Sequence, residues 1–327
     1  MLKTDLWFEP REKTMRVLPT YPGEPEMTEF DSGFLCGLLR EYKPKKLLEV
    51  GIAGGGTTAI ILTSLSLINQ QVEMHSIDLS ESFYLDSTKQ SGFLAEEIKP
   101  QLDLDGITHK VHLGKLTANL VEEIGGGIDF VILDTTHAFP GKLLDFLTLY
   151  PYLTKNAVVV LHDLIFSLAL RPDIMPPMLA TKTLLDCVTA DKYFMPDELS
   201  NRATTLPTIG AFRINEATGE NIIDVFRAVA VLWSYSLEQW QVIAYRNIFA
   251  KHYDEECLWL YDSAVIANRF AIQMRSQIEL ASCLEQEKRA REEEAAQATI
   301  VKDTSENVPL PFWKRIRRMA RVMLKGY

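Results

Sequence analysis

Leu47-Leu48-Glu49-Val50-Gly51-Ile52-Ala53-Gly54-Gly55-Gly56-Thr57-Thr58 is the stretch on which the fold turns. Leu47 to Val50 is an apolar run of the kind buried as a parallel strand, and Ala59-Ile60-Ile61-Leu62 opens a helix. Between them lies a glycine-rich turn, with Thr57 or Thr58 as the expected N-cap. Glycine permits positive φ and lets a ligand approach bare backbone. The helix start then offers unpaired N–H groups and a partial positive charge. No Lys-Ser or Lys-Thr follows the glycines, so this is no P-loop, and Ala53 stands where a dinucleotide fingerprint needs its second glycine. What remains is Glu-x-Gly-x-x-x-Gly-x-Thr, running from Glu49 through Gly51 and Gly55 to Thr57.

On either side the chain alternates apolar runs with helical patterns. Phe30, Phe34, Leu35, Leu38 and Leu39 recur at helical spacing before the first strand. Val72 to Ile77 predicts a second strand that ends at Asp78, where an acid accepts hydrogen bonds from cofactor ribose hydroxyls in doubly wound sheets. Ser80 to Ser91 reads as a polar loop, and His109 to Gly114 as a third strand whose His109 and His112 face opposite ways. Ile128 to Leu133 is a buried strand that runs into Asp134-Thr135-Thr136-His137. Asn156 to Leu161 is another, ending in His162-Asp163. Thr208 to Ile214 reads as the last strand. Such alternation means right-handed crossovers and a mostly parallel α/β sheet with helices on both faces. The carboxyl ends of its strands share one rim, where open α/β sheets place their ligands. Gly51, Gly55, Asp78, Asp134, His137 and Asp163 are all expected there.

The pattern from Glu49 to Thr57 resembles the first motif of class I S-adenosylmethionine (SAM) methyltransferases, in the branch of catechol-type and macrocin-type O-methyltransferases. Ile132 to His137 resembles the Asp-x-x-His of macrocin-type sugar O-methyltransferases and their cephalosporin-hydroxylase-like relatives. The resemblance covers about two thirds of the chain. It implies a Rossmann-like methyltransferase sheet closed by a hairpin of two late strands, with SAM bound by Glu49, Gly51, Gly55, Thr57 and Asp78 and with Gly114 beside the adenine. It implies Asp134 and Asp163 as ligands of Mg²⁺ and His137 as the base. An imidazole titrates near neutrality and carboxylates are hard oxygen ligands, so the residue types suit these roles. The family carries an acidic pair, or Asp-Asn in its catechol-type branch, where this chain has His162-Asp163-Leu164. Both departures remove an oxygen ligand, which leaves two readings: His162 joins the metal ligands and the site takes a softer ion, or Asp134 and Asp163 only orient substrate. The expected reaction is O-methylation of a hydroxyl on a sugar, glycan or glycosylated small metabolite. Two alternatives stand beside it: a hydroxylase-like metalloenzyme holding iron on Asp134, His137 and His162, and a non-catalytic SAM-binding scaffold in glycan assembly.

Composition sets the remaining bounds. The 327 residues carry a net charge of -10, which argues against docking on nucleic acid. Cys36, Cys187, Cys257 and Cys283 lack metal spacing and read as buried free thiols of a reducing cytosol. Residues 1–27, with four prolines, predict an irregular arm over the active site, and 28–215 the methyltransferase domain. Within that domain, 164–205 form a proline-broken insertion. Residues 216–298 predict a helical extension with an apolar face of Val225, Phe226, Val229, Leu232, Trp233, Leu237, Trp240 and Ile243. That face suits packing on the domain or a homo-oligomer contact. Residues 299–327 predict a flexible linker and a basic amphipathic tail, whose 312–325 segment suits a peripheral contact with an anionic membrane.

Overall fold

The computed structural model describes residues 2–18, 27–164, 179–194, 208–231 and 233–306. It divides into two units, Met1–Arg269 and Phe270–Tyr327. In chain order the first unit contains α1 (Glu9–Val17), α2 (Glu29–Tyr42), β1 (Lys46–Val50), α3 (Gly56–Leu67) and β2 (Val72–Asp78). A small hairpin follows, β3 (Ser82–Phe83) and β4 (Asp86–Gln90), then α4 (Phe93–Ile98), β5 (Ile107–Leu113), α5 (Thr117–Ile124) and β6 (Ile128–Leu133). Next come α6 (Gly141–Leu149), β7 (Leu153–Leu161), α7 (Ala180–Cys187), β8 (Asp191–Phe194) and β9 (Gly210–Arg213). The extension adds α8 (Glu216–Glu220), α9 (Ile222–Val229), α10 (Gln239–His252) and the long α11 (Glu255–Glu306), which runs on into the second unit.

Seven strands form one sheet in the order β5-β2-β1-β6-β7-β9-β8. The first five are parallel, and β9 runs antiparallel to both β7 and β8. This is the Rossmann-like sheet with its closing hairpin. The unbroken apolar runs have a direct cause. Ala157, Val159 and Leu161 enter the core on one face, while Val158 and Val160 enter the core on the other. Phe130 and Ile132 are divided from Val131 and Leu133 in the same way. Side chains alternate along a strand, so only a sheet covered on both faces buries every one.

Several local expectations are corrected. Residues 9–17 are helical, where an irregular arm is predicted; Thr14 Oγ1 donates to Thr63 Oγ1 at 2.8 Å and ties α1 to α3. Neither Thr57 nor Thr58 caps α3; its N-cap is Gly55 in the left-handed region, and Thr58 lies inside the helix. The polar stretch from Ser80 to Ser91 contains the β3–β4 hairpin. On α10 the inward face is Val242, Tyr245, Ile248 and Phe249, so Trp240 and Ile243 are exposed. Residues 299–306 continue α11, where a flexible linker is predicted. Cys36 and Cys257 are buried, but Cys283 is exposed. The tail at 312–325, Leu232 and most of the 164–205 insertion lie outside the described residues.

The extension is continuous with the domain core. Val225, Phe226, Val229, Trp233, Phe249, Tyr261 and Val265 share one apolar cluster with Leu143 and Leu147 of α6. In the second unit, Phe270, Met274, Ile278, Leu280 and Leu284 are exposed along α11. Among the described residues no helix is long and apolar enough to cross a membrane.

Candidate active site

The glycine turn is wedged between two other pieces of backbone. Gly51 has φ +96°, and a Cβ there would lie 2.2 Å from the carbonyl oxygen of Asp134. Gly55 has φ +94°, and its Cβ would lie 2.8 Å from Cα of Gly92. Ala53 also adopts positive φ. The glycines are therefore required by the protein's own close packing as well as by any ligand.

Asp78 at the end of β2 holds the turn in shape. Its Oδ2 accepts from the N–H of Ile52 at 2.9 Å and of Ala53 at 3.0 Å, and its Oδ1 accepts from Ser80 N–H at 2.8 Å. Oδ2 thereby uses both its lone pairs, and Oδ1 keeps one for a further donor. Asp78→Ala removes three charge-assisted bonds worth about 1.5–3 kcal/mol each in favourable cases. We expect it to weaken S-adenosylhomocysteine (SAH) binding by about 10- to 100-fold in a calorimetric titration.

Glu49, Gly55 and Gly114 do not line the cavity beside this turn; Gly55 is packed against the backbone of Gly92 instead. Glu49 is fully buried in β1, where Oε2 accepts from Thr58 Oγ1 at 2.8 Å and Ser76 Oγ at 2.7 Å. Its Oε1 has no hydrogen-bond partner. Burial pushes the carboxyl up to about 8, against the pull of the Ser76 and Thr58 bonds. The group thus takes up a proton on folding, between its ordinary value of 4.5 and about 8. Its stabilising contribution is complete below the lower value and is lost as pH rises through the upper one, at up to about 1.4 kcal/mol per pH unit. Glu49→Gln should flatten this slope. The melting temperature of the variant minus that of wild type is expected to grow from pH 5 to pH 8.5. Gly114, at φ +65°, packs toward Glu81, and Lys115, Leu116 and Thr117 take its expected place on the wall.

The second cluster comes from the ends of β6 and β7. These strands are neighbours in register, Leu133 opposite Leu161, so Asp134 and His162 emerge side by side. His162 Nδ1 lies 3.2 Å from Asp134 Oδ1 and 3.5 Å from Asp163 Oδ2. Burial alone pushes the His162 imidazole down, but the two carboxylates override it and hold it up at about 9. Burial likewise opposes ionisation of Asp134, yet His162 beside it keeps that carboxyl below the ordinary carboxylate range. Asp163 is shifted upward by burial. One ligand atom from each of Asp134, His162 and Asp163 lies within 4.8 Å of the others, close enough together to hold a metal ion. His137, the third member of the expected iron set, is not part of that group; its Nε2 lies 3.2 Å from Asp163 Oδ2.

Lys142 was not anticipated from sequence. It is completely buried on α6, donates to the carbonyl oxygen of His162 at 2.5 Å, and places Nζ 3.3 Å from His137 Nδ1. An ammonium only donates, so Nδ1 accepts, and Nε2 carries the proton it shares with Asp163. Burial, then the charge of Lys142, pushes His137 down to about 3, so the ring is neutral. Asp145, three residues along the same helix, accepts from Thr135 Oγ1 at 2.8 Å and is pushed up by burial to about 6. The signal was present: a lysine and an aspartate interrupt the apolar run Gly141-Lys142-Leu143-Leu144-Asp145-Phe146-Leu147 at helical spacing. His109 and His112 stay outside the site, paired with Ser76 and His75.

Both clusters line one mostly apolar cavity of about 960 Å³. Gly51, Thr57, Asp78, Asp134, His137, His162 and Asp163 are on its wall. The volume lies at the upper end of the range of about 300–1,000 Å³ for ligand pockets, which suits a cofactor and an acceptor together.

Residues 48–164 match the family described as "Methyltransferase domain". Among curated proteins none matches the chain. Solved structures similar to it include the SAH-bound Podospora anserina methyltransferase PaMTH1 (15% identity, 64% of this chain and 87% of that one, TM-score 0.44). Another is the O-methyltransferase TomG from Streptomyces achromogenes, involved in tomaymycin synthesis and in complex with SAM (17% identity, 64% and 92%, TM-score 0.42). A third is an O-methyltransferase from Bacillus cereus in complex with SAH (14% identity, 63% and 90%, TM-score 0.42). Over residues 48–164, then, the chain is similar to methyltransferase domains.

Proposed function

We propose that the protein transfers the methyl group of SAM to a hydroxyl of a glycosylated small metabolite, a sugar or a glycan. The observation that carries this reading is the shared cavity wall, on which the Gly51–Asp78 turn meets Asp134, His137, His162 and Asp163. SAM supplies a methyl on a positive sulfonium, so the protein's task is to align a hydroxyl behind that methyl and accept its proton. Thr57 and the turn at Gly51 hold the methionine end, and Asp78 offers the remaining lone pair of Oδ1 to the ribose. His137 as a lone base does not fit its bonds, since Lys142 and Asp163 occupy both ring nitrogens. The His137–Asp163 pair suits the role better. A hydroxyl bound to Asp163 gives its proton to a carboxyl whose proton affinity burial has raised, while His137 holds that carboxyl in place.

Asp134, His162 and Asp163 fit a divalent cation, which would lower the hydroxyl's pKa. Their mixed nitrogen and oxygen donors suit Mn²⁺ or another transition ion more than Mg²⁺, and binding would displace the proton on His162. The test is calorimetry with SAM, with and without Mg²⁺ or Mn²⁺, followed by methyl transfer to a panel of glycosides. No SAM binding, or SAM binding with no methylated glycoside, would sink the proposal.

A further inference from the structure

We infer that residues 235–245 of the helical extension form the wall that selects the acceptor, and that this wall takes an aromatic or fused-ring body attached to the reacting alcohol. The inference rests on the O-methylation reading and adds the part of the substrate beyond the hydroxyl. The match to the methyltransferase family ends at residue 164, so these residues lie outside it.

Tyr235, Leu237, Gln241 and Tyr245 line the same cavity as Asp134 and His137. The segment that carries Tyr235 is pinned on three sides. Trp233 is buried; its backbone N–H donates to Asn268 Oδ1 at 2.7 Å, and its indole N–H donates to the Val229 carbonyl at 2.8 Å. The next residue, Ser234, donates its N–H to the carbonyl of Phe139 at 3.1 Å, two residues beyond His137. Tyr245 reaches the catalytic strand through a short chain of bonds. Its hydroxyl donates to Asp145 Oδ1 at 3.4 Å, and Asp145 Oδ2 accepts from Thr135, the neighbour of Asp134. The wall is therefore built onto the loop and helix that follow β6, so its position is coupled to that of the reacting groups.

Its chemistry is two phenol rings, a leucine and one amide, Gln241, whose Oε1 already accepts from Glu238 N–H at 2.9 Å, and α1 adds Met15 and Leu18 elsewhere on the cavity lining. A bare sugar presents hydroxyls on every side, and burying them against such side chains leaves them without partners. An aromatic body loses nothing there and gains ring contacts and apolar burial. The sugar hydroxyl then sits at the Asp134–Asp163 end, where the polar groups are, and the aglycone rests on the extension.

The full chain, with and without saturating SAH, is titrated calorimetrically with 2-naphthol, methyl β-D-glucoside and 2-naphthyl β-D-glucoside. Both naphthyl compounds are expected to bind. Tyr235→Ala, which empties the wall, and Leu237→Trp, which fills it, should each weaken them by about 10-fold or more while SAH affinity is kept. Retained SAH binding certifies that a variant is folded. Naphthyl compounds that fail to bind wild type, or that bind both folded variants as they bind wild type, overturn the inference. A wild type that does not bind SAH overturns the methyl-transfer reading instead, and the naphthyl titration without SAH still decides the wall.

Discussion

Asp134→Asn is expected to lower turnover by about three orders of magnitude or more while SAH affinity stays within about threefold of wild type. The substitution keeps the shape of the side chain and removes its charge. That charge is the main counterweight to the burial of His162, and with it gone the imidazole holds its proton less tightly, with Asp163 alone left to oppose burial. The ion pair at 3.2 Å between Asp134 and His162 is lost, and so is one of the three residues proposed above to hold a cation. Breaking one half of a buried pair costs about 3–5 kcal/mol when the other charge stays, so the variant should also melt earlier. Proton release from His162 limits that cost. Asp134 makes no hydrogen bond to the glycine turn through its side chain, which is why cofactor affinity should survive. Initial rates under saturating SAM, set beside an SAH titration of the same preparation, check both halves. Equal losses in the two would mean that Asp134 serves cofactor binding and not the reaction.

Gly51→Ala is expected to be the most disruptive single change in the cofactor turn. The added Cβ would sit 2.2 Å from the carbonyl oxygen of Asp134, which is backbone and has no rotamer to move aside. The position also has φ +96°, in the region where a Cβ is strained. Overpacking at about 1–3 kcal/mol and backbone strain at about 1–2 kcal/mol add at one atom. For a chain of this size that lowers the melting temperature by about 5–15 °C. Relief by a shift of β1 away from β6 would separate the glycine turn from Asp134, so SAH binding should fall as well. Gly126→Ala is the matched control, since its nearest neighbour to a new Cβ is 3.9 Å away and its φ is ordinary. Unchanged melting and SAH affinity in Gly51→Ala would show that the two strand ends are not tightly joined there.

Most of the sheet was readable from residue order. Buried parallel strands show as continuous apolar runs, and Val131-Ile132-Leu133 and Val158-Val159-Val160-Leu161 have no other economical reading. Placing Asp78, Asp134, His137 and Asp163 on one rim followed from the parallel direction of their strands. Finer placements were not readable. Trp240 and Ile243 count as apolar in any helical pattern, yet the helix turns Val242 and Tyr245 inward because α5 and α6 lie on that side. Thr58 has the residue type of a helix cap, but Glu49 accepts its hydroxyl from the neighbouring strand and Gly55 takes the cap position.

Read alone, the chain specifies the parallel sheet, the glycine turn and the family of chemistry, because these depend on hydrophobic period and local residue type. Folding in three dimensions assigns the partners. Glu49 turns inward to Ser76 and Thr58, Lys142 meets His137 and His162, and the extension supplies Tyr235 and Tyr245 to the cavity. Each of those pairings depends on the distance between residues brought together by crossovers, and no local pattern encodes such a distance.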